Sequence, residues 1–230
     1  MRHILGSFFI KKTRADYNAI ASSFSETREK PWKDWKHIRP YFHSNLSVLD
    51  IGCGNGRLCE HIPYKTYHGV DISEELIGIA QKKYGNKSHT TFSLGSFSSL
   101  PGQTYDLIVS IAAFHHLPSK PLRTEALENI KKHLKKNGIC IISVWDLSST
   151  HYQNEKRKAR VRALLTLGLF SPRDLFIPWK RGEKKRMRYY YAFTLDEMET
   201  LLNGAGFHIK EVIRTDNLYF VCTPTLRRMK

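Results

Sequence analysis

The sequence predicts an α/β fold: a doubly wound, mostly parallel sheet with helices on both faces. Three observations predict it. Short apolar runs alternate with helical patterns from Ser47 to Trp145, the signature of successive β-α-β units. The first run, Val48-Leu49-Asp50-Ile51, ends in an acid followed by Gly52-x-Gly54-x-Gly56. The second, Tyr67-His68-Gly69-Val70-Asp71-Ile72, ends in another acid. In an open sheet the crevice beyond the carboxyl ends of the strands holds the ligand, and glycines there let the backbone come close to it.

Each element has a local reason. Tyr17, Ile20, Ala21 and Phe24 recur at helical spacing, so Ala15–Phe24 is a predicted helix. Pro31–Phe42 reads as a second, opened by Pro in its first turn. Strands follow at Ser47–Ile51 and Thr66–Asp71. Ser73 caps a helix over Glu74–Tyr84, with two acids in its first turn. A third strand runs from about His89 to Leu94. The fourth, Tyr105–Ser110, is a continuous apolar run suited to burial on both faces. A helix over Leu122–Lys135 stops at Asn137-Gly138, and a fifth strand covers Ile139–Trp145. The alternation then breaks: residues 148–187 read as a basic insertion, a helix followed by a loop. A helix at Thr194–Leu202 stops at Gly204-Ala205-Gly206, and strands near Phe207–Ile213 and Leu218–Cys222 close the chain.

The chain has 230 residues, 41% of them hydrophobic. That length and composition suit one globular domain: N-terminal lid helices (1–45), a ligand-binding core (46–147), the basic insertion (148–190) and a closing segment (191–230). No apolar run reaches membrane-spanning length, and no signal-peptide pattern is present. Cys53, Cys59, Cys140 and Cys222 form no C-x-x-C pair, so the chain is expected to carry no metal. A reducing setting fits: the expectation is cytoplasmic, compatible with a nuclear fraction. The net charge of +16 is concentrated, with +9 in residues 151–190 and +5 in residues 1–40. Both segments also carry aromatics, a pattern that suits a polyanion such as RNA; a merely basic surface is the plainer alternative.

The glycine spacing narrows the ligand. A dinucleotide fingerprint needs a third glycine three residues after the second, where this chain has Arg57; a phosphate-binding Gly-Lys-Ser/Thr loop is absent. Asp71 at the second strand end can accept both hydroxyls of a ribose. The strand-Asp-x-Gly-x-Gly-x-Gly pattern resembles the first motif of class I S-adenosylmethionine-dependent methyltransferases. The fold implied is Rossmann-like, seven-stranded, with an antiparallel last strand. After the fourth strand comes Ser110-Ile111-Ala112-Ala113-Phe114-His115-His116, not the Asn/Asp-Pro-Pro-Tyr usual for amino-group methylation, and no Pro-Cys suggests a cytosine C5 enzyme. One histidine of the pair can orient an acceptor and the other pack; a structural role for both stays open.

Separated segments point to one family. Tyr17-Asn18-x-Ile20-Ala21-x-x-Phe24-Ser25-x-Thr27-Arg28, Lys30-Pro31-Trp32, Ser110-Ile111-Ala112 with His115-His116, Val144-Trp145, Arg188-Tyr189-Tyr190 and Asp216-Asn217 resemble the eukaryotic tRNA wobble-uridine carboxymethyl methyltransferases. The resemblance implies methyl esterification of 5-carboxymethyluridine with S-adenosylmethionine as cofactor. It implies His116, Arg28, Arg188 and Tyr189 around the acceptor. Tyr17, Asp50, Gly52, Cys53, Gly54, Gly56, Asp71, Ile72, Ser96, Phe97, Ser110 and His115 are implied around the cofactor. Ser96-Phe97 replaces the acid that usually meets the adenine amino group. Expected RNA contacts are Trp32, Lys156, Arg157, Lys158, Arg160, Lys180, Arg181, Lys184, Lys185 and Arg186, with Arg162, Trp35 and Trp179 as further candidates. Members act with a small zinc-binding activator that adds to a sheet edge, here the strand Thr90-Thr91-Phe92-Ser93-Leu94; any zinc would belong to that partner. No DNA and no membrane partner is expected. A small-molecule carboxyl or hydroxyl O-methyltransferase and a catalytically silent RNA-binding subunit are the alternatives.

Overall fold

The structure, a computed structural model, describes residues 2–30, 32–181 and 186–225, with side chains from Gly6 onward. The chain opens with α1 (Arg2–Glu26) and a single turn, α2 (Trp35–Ile38). There follow β1 (Ser47–Ile51), α3 (Leu58–His61), β2 (Thr66–Asp71), α4 (Glu74–Tyr84), β3 (Thr90–Leu94), β4 (Tyr105–Ile111), α5 (Lys120–His133) and β5 (Leu134–Trp145). The insertion contributes α6 (Gln153–Leu165), β6 (Asp174–Trp179) and β7 (Arg186–Tyr191). The chain closes with α7 (Leu195–Gly204), β8 (Phe207–Arg214) and β9 (Asn217–Pro224).

Seven strands form one sheet in the order β3-β2-β1-β4-β5-β9-β8. The five from β3 to β5 are parallel, while β9 runs antiparallel to β5 and β8 antiparallel to β9. Order reverses between β1 and β4, so the carboxyl ends of those strands open a crevice there. The central strands are apolar because both faces are covered. Leu49, Ile108, Ile142 and Phe220 face one core cluster, and Val48, Val109, Ile141 and Val221 face the other.

Strands β1–β4, β8 and β9 and helices α4 and α7 follow the expected pattern, including the Ser73 cap, whose Oγ accepts from the Leu76 amide at 3.2 Å. Four elements differ. Helix α1 begins at Arg2, well before Ala15, because Phe9 packs on the insertion: its ring stacks on Tyr189 at 4.8 Å. The expected helix at Pro31–Phe42 is one α-turn and a 3-10 turn, Arg39–Tyr41, with Pro40 inside it; Pro31 lies outside the described residues. Helix α5 starts earlier, at Lys120, with Ser119 as cap and Pro121 in its first turn, and ends at His133. Lys135, Asn137 and Gly138 therefore sit in β5, where Leu134 pairs with Tyr105 and Lys135 Nζ bonds Asp106 at 2.9 Å. Finally, the predicted loop of the insertion contains a β-hairpin, β6–β7.

Candidate active site

The crevice between β1 and β4 is a cavity of about 620 Å³. Its floor is the glycine turn. Gly52 and Gly54 adopt φ of +77° and +56°, and a Cβ at Gly52 would collide with the Ala113 Cβ, so only glycine fits. The amides of Gly52 and Cys53 donate to the Val70 carbonyl at 2.8 and 3.0 Å. Asp71 clasps the turn to the next helix: Oδ2 accepts from the Gly54 amide and Oδ1 from the Ser73 amide, each at 2.9 Å. A carboxylate with two of about four acceptor positions filled keeps capacity for a diol.

Asp50 is buried beside it and accepts a 2.6 Å hydrogen bond from Tyr67 Oη. Burial pushes its carboxyl up to about 7; the Tyr67 bond opposes the shift and the nearby Asp71 charge adds to it. A cation in the cavity would return Asp50 to its ionised form. The donor and acceptor types suit S-adenosylmethionine: Asp71 would accept from its ribose and Asp50 would face its positive charge, with Ile72, Ser96 and Phe97 lining the same cavity. No acid stands beside Ser96 in the chain; Glu125 of α5 is the third carboxylate lining the cavity.

Four residues expected at the cofactor lie behind the cavity wall rather than in it. The Cys53 side chain is buried in the core, its sulfur 3.8 Å from the Gly54 carbonyl. Gly56 packs against Phe92 and Ala80. Ser110 is fully buried, its hydroxyl without a partner among the described residues. His115 is buried against Tyr190 and Trp145 and accepts from the Trp145 amide at 3.2 Å, which leaves its Nε2–H unpaired.

The other end of the cavity joins α1 and the insertion to the ends of the sheet strands. Tyr17, Phe24, Thr27 and Arg28 come from α1 and the turn after it, His116 from a 3-10 turn, Arg188 from β7, and Trp145 and Asn217 from the paired ends of β5 and β9. His116 Nδ1 lies 2.6 Å from the Tyr189 carbonyl, which can only accept, so Nδ1 carries the proton. Burial and the Arg188 charge hold the ring far below the usual histidine range, at about 3, against the opposing Tyr189 bond. The neutral ring's Nε2 therefore accepts from Tyr17 Oη at 2.9 Å. His116 thereby links α1 to β7, through Tyr17 on one side and the Tyr189 carbonyl on the other.

Arg188 is 5% exposed, and its Nε and Nη1 have no hydrogen-bond partner among the described residues. Its guanidinium lies over Trp179 at 4.8 Å and Tyr190 at 5.2 Å. Arg28 lies over Phe24 at 4.3 Å and bonds the Thr27 hydroxyl; burial lowers its pKa, and the neighbouring Arg188 charge contributes. Neither arginine forms an ion pair among the described residues. Tyr189 is a correction: it points to the opposite side of β7, where Oη donates to Asp174 Oδ1 at 2.7 Å and the ring stacks on Phe9. Neighbours on a strand face opposite sides, so Arg188 and Tyr189 cannot share the cavity.

Of the expected RNA contacts, Arg157, Lys158, Arg160, Lys180, Arg181 and Arg186 are exposed on α6 and the hairpin. Lys156 is half-buried and bonds the Ser148 and Ser149 carbonyls. Lys184 and Lys185 lie outside the described residues. Trp32 is cavity wall rather than an open stacking surface: Nε1 donates to Tyr219 Oη at 3.0 Å. Trp35 packs on Phe42, Trp179 donates to Ser23 Oγ at 3.0 Å, and Arg162 lies over Phe176. Strand β3 is an edge of the sheet, with Thr91 and Leu94 exposed, Ser93 half-buried, and Thr90 and Phe92 turned inward. Sequence reasoning missed Asn55, Arg57 and Tyr219 in the cavity wall, and named Trp145 and Asn217 only through resemblance. Their signal is position: Trp145 ends β5 and Asn217 begins the strand paired with it.

Among the described residues no three His, Cys, Asp or Glu gather as a metal site, all four cysteines are buried and free, and no helix is long and apolar enough to cross a membrane. Residues 24–212 match the protein family described as "Methyltransferase domain". The chain is 29% identical over 215 residues to a Schizosaccharomyces pombe protein named tRNA (carboxymethyluridine(34)-5-O)-methyltransferase, covering 85% of this chain and 88% of that one. A Saccharomyces cerevisiae protein of the same name is 28% identical over 74% of the chain, which spans 56% of that relative's length. Among solved structures, a chain from the complex between the Haloferax volcanii Trm112 methyltransferase activator and a methyltransferase superposes with a TM-score of 0.69 at 17% identity, covering 95% of this chain and 100% of that one. With the class I sheet order, the turn at Gly52–Gly56 and the paired acids Asp50 and Asp71 in place, the chain belongs to the methyltransferase-domain family.

Proposed function

We propose that this chain esterifies the carboxylate of 5-carboxymethyluridine at the wobble position of tRNA. One observation carries the reading: Arg28 and Arg188 bring two guanidiniums, neither paired with an acid among the described residues, to the acceptor end of the cavity. A buried cation without a partner is costly, and a substrate carboxylate supplies the missing charge. When bound, S-adenosylmethionine supplies the methyl group as an electrophile on its sulfonium. A carboxylic acid is already ionised at neutral pH, so the site needs no strong base, which agrees with a neutral His116 whose Nε2 is occupied by Tyr17. Arg28 and Arg188 orient the acceptor oxygen, and the aromatic rings around them keep water away. Because the arginines also rest on π-faces, they hold the carboxylate without quenching it as a tight bidentate ion pair would.

The relatives' names support tRNA as substrate, and the exposed cations of α6 and the hairpin suit a phosphate backbone. A small zinc-binding activator is the proposed partner, added at the β3 edge to form a heterodimer; the Haloferax complex supports a partner of this kind, and an exposed edge is suited to strand addition. The test is transfer of labelled methyl to tRNA bearing 5-carboxymethyluridine, with the chain alone and co-expressed with an activator. An alkali-labile ester formed only by the complex supports the reading. Cofactor binding without transfer favours a small-molecule acceptor, and absence of cofactor binding favours a silent subunit.

A further inference from the structure

A second cavity of about 380 Å³ opens beside the first and shares Thr27, Arg28, Trp145 and Arg188 with it. The two guanidiniums thus stand at the junction of two chambers, one reached from the sheet and one from the insertion. The second chamber is walled by Tyr152, Trp145, Trp179 and Pro178, with Lys180 and Arg181 at its edge. Tyr152 ends a 3-10 turn, Thr150–Tyr152, immediately before α6, and is half-buried. Glu155, in the first turn of α6, is the one carboxylate among the described residues that line this chamber, beside Lys180, Arg181, Arg28 and Arg188. It makes no hydrogen bond or ion pair among the described residues, and it is near enough to Tyr152 to raise that phenol's pKa, behind the larger effect of burial.

We propose that this chamber is the acceptor's nucleobase pocket: Tyr152 stacks on the ring, and Glu155 accepts a hydrogen bond from its imino N3–H. The inference rests on the esterification reading above and adds to it where the base sits and which edge is read. Chemistry selects a base over other occupants. Flat aromatic walls match a π-face, whereas a phosphate would meet the Glu155 charge at close range. A uracil ring offers one N–H donor between two carbonyls; Glu155 matches the donor, and Lys180 or Arg181 can meet the phosphate that follows. A ring stacked here extends its 5-substituent toward the shared wall, where Arg28 and Arg188 stand.

The test uses the full chain, with its activator if required, and anticodon stem-loops bearing 5-carboxymethyluridine or its N3-methyl derivative. Tyr152→Leu should weaken stem-loop binding about 10-fold, the scale of one base–aromatic stack, while Tyr152→Phe stays within about twofold because the ring remains. Wild type should prefer the N3–H over the N3-methyl stem-loop by about 10-fold or more, and Glu155→Ala should reduce that preference to near unity. Cofactor affinity and melting temperature of each variant are measured alongside; Glu155 lines the chamber and makes no hydrogen bond or ion pair among the described residues, so its replacement should leave the fold intact. Wild-type transfer with no change in either Tyr152→Leu or Glu155→Ala overturns the pocket and leaves the esterification reading standing. No wild-type transfer to any carboxymethyluridine stem-loop overturns that reading itself.

Discussion

Replacing Asp50 by Asn should make the free protein more stable and the cofactor complex weaker. Asp50 is buried, and its carboxyl rises from 3.8 in a free chain to about 7 in the fold. A folded value above the unfolded one means the protonated acid's contribution is intact below about pH 3.8 and is lost as pH rises through about 7. At 1.36 kcal/mol per pKa unit, the ionisation penalty is about 2 kcal/mol at pH 5.5 and about 4 kcal/mol at pH 8.5. Asn keeps the acceptor for Tyr67 Oη and cannot ionise, so the gain should be about 2 kcal/mol larger at pH 8.5 than at pH 5.5. For a chain of this size that difference is about 4–8 °C in melting temperature. The cofactor reverses the order: its positive charge favours ionised Asp50, so its affinity for wild type should rise with pH up to about 7 and then level. The Asp50→Asn variant should lose that pH dependence and bind about 10-fold or more weakly. Thermal melts at the two pH values, with and without S-adenosylmethionine, and calorimetric titration measure both. Equal gains at pH 5.5 and 8.5, or an unchanged cofactor Kd, would refute the assignment of Asp50 as a buried acid that meets a cation.

Arg188→Met, which keeps an apolar stem, should raise the acceptor's KM about 10-fold or more and leave cofactor Kd within about twofold; equal loss of both would make Arg188 a general scaffold. Because His116 stays neutral, with its pKa at about 3, wild type should show no histidine inflection in kcat between pH 5 and 8, and His116→Gln should lower kcat without changing the profile. An inflection near pH 6–7 that disappears in the variant would restore a proton-transfer role. Replacing Arg157, Lys158 and Arg160 with Gln should flatten the salt dependence of tRNA binding by about 0.7–0.9 in slope for each phosphate no longer neutralised; an unchanged slope would put the RNA elsewhere.

The sheet was legible because buried parallel strands and capped helices have strong local signatures. Ser73 caps α4 where the sequence says it should, and Asp50 and Asp71 fall at strand ends beside the glycine turn. The hairpin β6–β7 was not legible. Pro178 lies within β6, and basic residues fill the approach to β7; its register depends on packing against Phe9 and Ala159 rather than on alternation. The α5–β5 boundary was misread for a related reason: Lys135-Lys136-Asn137-Gly138 looks like a helix end, yet the Asp106 side chain and the Tyr105 pairing draw it into the sheet. Site errors share one cause. Tyr189 beside Arg188 has the right chemical type, but strand alternation turns it away. His115 and His116 share a 3-10 turn, where successive side chains diverge, so one reaches the cavity and the other the core.

The two ends of the cavity come from different parts of the chain, and this makes the molecule separable as a design problem. Every group assigned to the cofactor, apart from Tyr17, sits on the sheet or the loops that follow its strands, whereas Arg28, Arg188, Tyr152 and Glu155 sit on α1, the insertion and their turns. Trp145 stands where the two halves meet, at the end of β5. The span from Ser148 to Tyr191 leaves the sheet after β5 and returns at α7, so it can be exchanged without altering a sheet strand or its register. A graft of that span from another sheet of this order, with a matching α1 surface, should move the acceptor chemistry and leave the methyl-donor half intact. The same division lets natural variation explore new acceptors through one contiguous stretch of about forty residues while the sheet stays under its own packing constraints.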